Sequence, residues 1–206
     1  MSAVEFGTLI VGRRDQQALA ELSEKLDRMD AESRRSTLMT ITPREQRILW
    51  ELCAGRSISA QHFVPENLDP LVEVIHHGKN SLLAHNFFQK RFARADDGTA
   101  DLYGYNHQTL AFVTGPGYFV AHSSENEVDA PTGYVIDYTR IPPRKPASWP
   151  KIIPNEARLG RFVYAGMKDY MRRVSEHVSI GRAYKRGKPM NAWFVLCRED
   201  PAGARR

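Results

Sequence analysis

The chain has 206 residues, 42% of them hydrophobic and 26% charged, with a formal net charge of +5. That is enough for one compact core with an appendage and too little for two full domains, and the composition excludes a chain disordered along most of its length. No apolar run approaches the ~18 residues of a membrane-spanning helix, and MSAVEFGTLIVGRRDQQ places its apolar patch before its arginines, the reverse of a secretory leader, so a cytoplasmic chain is expected.

In chain order, DQQALAELSEKLDRMDAE (15–32) spaces Leu19, Leu22, Leu26 and Met29 by three and four, which predicts an amphipathic helix with one narrow apolar stripe. A helix this short is marginal alone, so the stripe is expected to dock, either as a lid over its own domain or in a homodimer through residues 15–32. ESRRSTLM reads as a connection. TPREQRILWELCAG carries every mark of a second helix: Thr42 to cap, Pro43 at the first position, Glu45 to complete a capping box, Gly55 to stop it. This stretch resembles the opening helix of LuxR-type helix-turn-helix regulators, which implies DNA binding with Arg34, Arg35, Arg44, Arg47 and Arg56 nearby. Pro65 and Pro70 stand where the turn and recognition helix would follow, so nucleic-acid binding ranks last among the functions considered.

DPLVEVIHH is expected to form a short helix ended by Gly78. From Phe87 the period changes to two: FFQKRFAR, DLYGYNHQ, AFVTGPGYFVAHS and GYVIDYTRI predict four antiparallel strands. The proline-rich PPRKPASWPKIIPNE (142–156) is an irregular connection. In GRFVYAGMKDYMRRVSE, Phe162, Val163, Met167, Tyr170, Met171 and Val174 share a helical face, and VSIGRAYK and NAWFVLCRE make a last hairpin. The expected fold is α+β: a curved antiparallel sheet or lipocalin-like barrel of about six strands, N-terminal helices, and one helix before the last hairpin. The divisions are a helical arm and connection (1–41), the barrel-like domain (42–200) and a basic tail (201–206).

The closing segment IGRAYKRGKPMNAWFVLCRED has a Gly-containing strand, a Lys-Gly turn and an aromatic-rich strand. It resembles the end of the lipocalin-like barrels of uncharacterised bacterial GXWXG-type proteins. The likeness covers about the last 40 residues, and the Gly-x-Trp-x-Gly signature itself is absent. It implies a barrel with a binding cavity and no particular reaction.

Candidate chemistry centres on residues 103–124, YGYNHQTLAFVTGPGYFVAHSS, which carry no Lys, Arg, Asp or Glu. Aromatic and hydrogen-bonding side chains alternating on bent strands suit the wall of a pocket, which makes Tyr103, Tyr105, His107, Tyr118, His122 and Tyr138 the expected lining for a small apolar or aromatic ligand. An alternative is acid/base catalysis on a bound carbonyl compound by His107 and Asp137, with Tyr105 or Tyr138 as donor; a carboxylate within YVIDYT otherwise pairs with Arg91 or Arg140. The seven histidines include no H-E-x-x-H or H-x-H, and Cys53 and Cys197 lie far apart, so no metal and no cofactor are expected. A serine elbow and an activated cysteine are also missing.

Overall fold

The computed structural model describes residues 3–82, 87–107, 115–125, 133–155 and 164–200. Eight antiparallel strands follow one another around a closed barrel: β1 (Val74–Asn80), β2 (Phe87–Arg94), β3 (Leu102–His107), β4 (Tyr118–Ser123), β5 (Tyr134–Asp137), β6 (Met167–Arg173), β7 (Val178–Lys185) and β8 (Lys188–Arg198). β8 closes on β1 through pairs such as Gly78↔Leu196, so no strand edge is left open.

The barrel has two more strands than expected. Residues 74–77, read as the end of a helix stopped by Gly78, belong to β1, and the expected helix before the last hairpin is β6; its residues 160–163 lie outside the described part. The physical reason is that β6 is covered on both faces: Met171 points into the barrel core and Tyr170 into the core outside it. A strand buried on two sides places apolar residues side by side, and Met167, Tyr170, Met171 and Val174 then mimic a helical stripe.

Among the described residues, five helices precede or accompany the barrel: α1 (Ala3–Gly7, continued by a π-helical Thr8–Arg13), α2 (Gln16–Arg28), α3 (Ala31–Leu38), α4 (Pro43–Leu52) and α5 (Ala60–Phe63). The carboxylates of Asp15 and Asp30 cap α2 and α3, so part of the segment read as a connection is helical. The Thr42–Glu45 capping box of α4 forms as expected, and Gly55 has φ +77°. Leu19, Leu22 and Leu26 are fully buried in one core with Ile48, Leu49, Val135, Tyr170, Val178, Ile180 and Val195. The stripe is thus consumed against the outer wall of β5–β8 within the same chain. No described helix is long and apolar enough to cross a membrane.

One barrel end is plugged by α5. Phe63 packs inside with Val74, Phe92, Leu102, Tyr134 and Leu196, while inward polar residues hold the plug by its carbonyls. A His76 ring nitrogen bonds Phe63 O at 2.9 Å, and Arg198 donates to His62 O at 2.6 Å and Arg94 to Pro65 O at 3.0 Å. On the opposite outer wall, β2–β4 is covered by the proline-rich strap: Trp149 packs with Tyr103, Tyr105, Tyr118 and Val120.

An eight-stranded barrel leaves room inside for little more than one layer of side chains. Three inward glycines make that room, each directly opposite a phenylalanine on the next strand: Gly78↔Phe88, Gly104↔Phe119 and Gly181↔Phe194. A methyl added at any of them would fall 2.4, 2.2 or 2.3 Å from that ring, so each ring lies flat on its glycine. Gly104→Ala should therefore cost about 1–3 kcal/mol through overpacking, or roughly 4–8 °C of melting temperature for a 2 kcal/mol loss in a chain of this size. Gly12→Ala, whose added carbon meets nothing within 4 Å, should leave it unchanged or raise it. Calorimetry of the two variants checks the packing; equal melting temperatures contradict it.

Candidate functional site

Strand alternation puts Phe88, Lys90 and Phe92 of β2 inside, Leu102, Gly104 and Asn106 of β3, Phe119 and Ala121 of β4, and Met167, Asp169 and Met171 of β6. Lys90 and Asn106 are a direct cross-strand pair, and Tyr138, just past β5, is tied to β6 by its N–H to Met167 O at 3.2 Å. These elements bring four polar side chains to one point. Lys90 Nζ donates to Asn106 Oδ1 at 3.0 Å, to Asp169 Oδ2 at 3.1 Å, and to the Tyr138 hydroxyl. The Tyr138 hydroxyl also accepts from Asn106 Nδ2 at 3.0 Å.

This cluster is deeply buried, with exposures of 3% for Lys90, 4% for Asp169 and Tyr138, and 6% for Asn106. The Lys90 ammonium sits 5.0–5.5 Å from the ring centroids of Phe88, Phe119, Tyr138 and Phe194. Three of these rings are the ones laid on glycines, so the same pairs that make the barrel narrow build an aromatic cage around the cation. Burial lowers the Lys90 pKa, opposed by Asp169, and burial raises that of Tyr138 well above its usual value. Tyr164 closes the outer side, stacked on Tyr138 at 5.3 Å and packed against Gly117, whose φ of +58° turns the chain into β4.

Of the six residues expected to line a pocket, Tyr138 is in this inner cluster. Tyr103, Tyr105 and Tyr118 are buried on the outer face beneath the strap, where Tyr103 donates to Asp97 at 2.9 Å and Tyr118 to Pro150 O at 2.5 Å. His107 is exposed at the end of β3, 6.3 Å from the Tyr105 ring, and its pKa is lowered by partial burial. His122 lies on the outer face of β4 beside Asp137 of β5. His107 and Asp137 share the outer face but are not brought together: the registers Tyr105↔Tyr118 and Val120↔Asp137 separate them by two strands and four residues, roughly 16 Å.

Asp137 pairs with His122 (3.6 Å) and Lys168 (3.2 Å), whereas Arg91 pairs with Glu73 and Arg140 with Asp101. Cys53 and Cys197 are free and buried, and burial pushes the Cys53 thiol up to about 12. Among the described residues no three His, Cys, Asp or Glu side chains converge as metal ligands would. Arg34, one of the arginines considered for nucleic acid, is buried against Asp200.

Sequence reasoning missed Lys90 and Asp169. The signal for Lys90 was present: in FFQKRFAR it stands two residues from both Phe88 and Phe92, hence on the apolar face. Asp169 was hidden by the helical reading of β6.

The outer pair sets a pH dependence. Asp137 raises the His122 pKa above 6.5, so that contribution to stability is complete below 6.5 and is lost as pH rises through the higher folded value. Burial disfavours the Asp137 carboxylate, but His122, Thr139 and Lys168 outweigh it and hold its pKa below 3.8, so its contribution is present above 3.8 and lost only in stronger acid. Urea unfolding at pH 5.5 and 8.5 should show wild type losing about 0.5–1 kcal/mol more than His122→Gln over that interval, the scale of a loosely spaced ion pair at 3.6 Å; identical losses refute the coupling. No family model, curated protein or solved structure matches this chain, so its assignment rests on its own geometry.

Proposed function

We propose that the chain is a small-molecule-binding barrel whose ligand is apolar or aromatic and carries one carbonyl or hydroxyl group. The observation that carries this reading is the convergence of Lys90, Asn106, Tyr138 and Asp169 inside an aromatic cage, at the barrel end opposite the α5 plug. Ligand sites are mostly apolar with a few placed polar groups, and this is the composition of the cluster. Tyr164 occupies the position a ligand ring would extend or replace, because it is the outermost ring stacked on Tyr138. The resemblance of the last strands to lipocalin-like barrels points to the same class of function.

A second reading, catalysis on a carbonyl ligand, is favoured by a buried primary amine, Lys90, held against the Asp169 carboxylate and the Tyr138 hydroxyl, two groups placed to exchange its protons. An imine would form there with loss of water, and borohydride would trap it. Incubation with benzaldehyde and borohydride should then alkylate Lys90; an unmodified Lys90 peptide rejects this second reading and leaves the first intact.

The binding reading is tested by thermal shift against a panel of aromatic aldehydes, ketones and phenols, with native mass spectrometry for copurified ligand. A ligand at a hundredfold over its Kd should raise the melting temperature by about 5–10 °C. Lys90→Met alone should cost about 3–5 kcal/mol by stranding the Asp169 charge. The double variant Lys90→Met with Asp169→Leu should recover much of that stability while losing the ligand shift. A panel without a shift, or a shift that survives in the double variant, rejects the proposal.

A further inference from the structure

A second concave surface lies outside the barrel, between α4 and the outer faces of β6–β8. It encloses about 470 Å³ and is lined by Arg47, Trp50, Arg172, Arg182, Asn191 and Trp193. The Arg172 guanidinium lies 3.8 Å from the Trp50 ring centroid and donates to Trp50 O at 2.5 Å. Arg182 lies 5.3 Å from the Trp193 ring and 5.8 Å from that of Tyr184, and donates through Nε to Met190 O at 3.0 Å. Stacking and backbone carbonyls thus hold both cations in place.

No carboxylate among the described residues pairs with Arg47, Arg172 or Arg182, whereas Arg13, Arg28, Arg34, Arg91, Arg140 and Arg144 each have one. Glu51 is the one acidic side chain on the groove's rim, against three arginines. Arg172 Nε and Trp193 Nε1 are buried without an acceptor among the described residues, an expensive state for two donors. In register, Arg182 stands opposite both Tyr170 and Trp193 while Arg172 stands opposite Ile180, so the arginines are diagonal neighbours on one face. Side chains in that relation are about 7–8 Å apart, a span that one phosphate bridges.

Stacked guanidinium groups present their N–H edges for paired bonds to an oxyanion, and a partly exposed indole such as that of Trp193 accepts a flat base. We propose that this groove binds a nucleotide unit, its phosphate between Arg172 and Arg182 and its base against Trp193. The unit is either a free mononucleotide or one link of a single strand, since both offer the same phosphate and ring.

Tryptophan fluorescence titration of the full chain separates the two sources. The probes are adenosine monophosphate, a ten-residue oligothymidylate and inorganic phosphate. Quenching by the monophosphate with no tighter binding of the oligonucleotide identifies a mononucleotide site. At least tenfold tighter binding of the oligonucleotide, with affinity falling on a log-log salt slope of about −0.7 per neutralised phosphate, identifies a single-strand site. Arg172→Met with Arg182→Met should lower affinity at least tenfold in either case. Arg182→Gln alone, which removes the less buried cation, serves if the double variant folds poorly and should lower it at least threefold. Absence of quenching, unchanged affinity in these variants, or inorganic phosphate binding as tightly as the nucleotides overturns the proposal.

Discussion

The narrowness of an eight-stranded barrel governs this molecule. Closure through β1 and β8 leaves no free edge, but it fixes an interior that the inward side chains must fill without clashing. Three large rings fit because the facing residue has no side chain: Phe88, Phe119 and Phe194 each lie on a cross-strand glycine. From these three contacts follow the aromatic column through the barrel and the cage around Lys90. A charged amine becomes tolerable at 3% exposure because Asp169 supplies the opposite charge, Asn106 and Tyr138 complete its hydrogen bonds, and four rings face it.

The two walls of the barrel are dressed differently. The N-terminal helices bury the outside of β5–β8 with an aliphatic core built on Leu19, Leu22, Leu26 and Leu49. The proline-rich strap buries the outside of β2–β4 with aromatic contacts around Trp149, and Asn155 pins its end by donating to Tyr118 O and Tyr138 O, both at 2.7 Å. Two features lie apart from these covered surfaces: the caged cluster at the far end, and the arginine-tryptophan groove between α4 and the outer faces of β6–β8. They differ in character: the first is buried and charge-balanced, the second cationic and open.

Much of this was legible in the sequence, and the reason is local. Capping of α4 depends on Thr42, Pro43 and Glu45 within one turn, and the stripe of α2 on spacings within four residues; neighbours in sequence are neighbours in space there. The alternation in FFQKRFAR and GYVIDYTRI likewise announced strands and an antiparallel sheet. What sequence could not decide was which face of each strand turned inward. Tyr103, Tyr105 and Tyr118 looked like a lining because they alternate with small or polar residues, yet the strap covers that face, and a residue such as Trp149 gives no local sign of where it docks. For β6, burial on two sides erased the period that would have marked it as a strand, whereas β1 does alternate in burial but turns His76 and Gly78 inward, so no apolar alternation showed in its sequence. The partnership of Lys90 with Asp169 joins residues 79 positions apart, and only closure of the sheet brings them within 3.1 Å. Sequence alone thus determined the elements whose stabilising contacts lie within a turn or an alternation, while the inner face, the cage and the groove came from tertiary structure, because each exists only where strands distant in the chain meet.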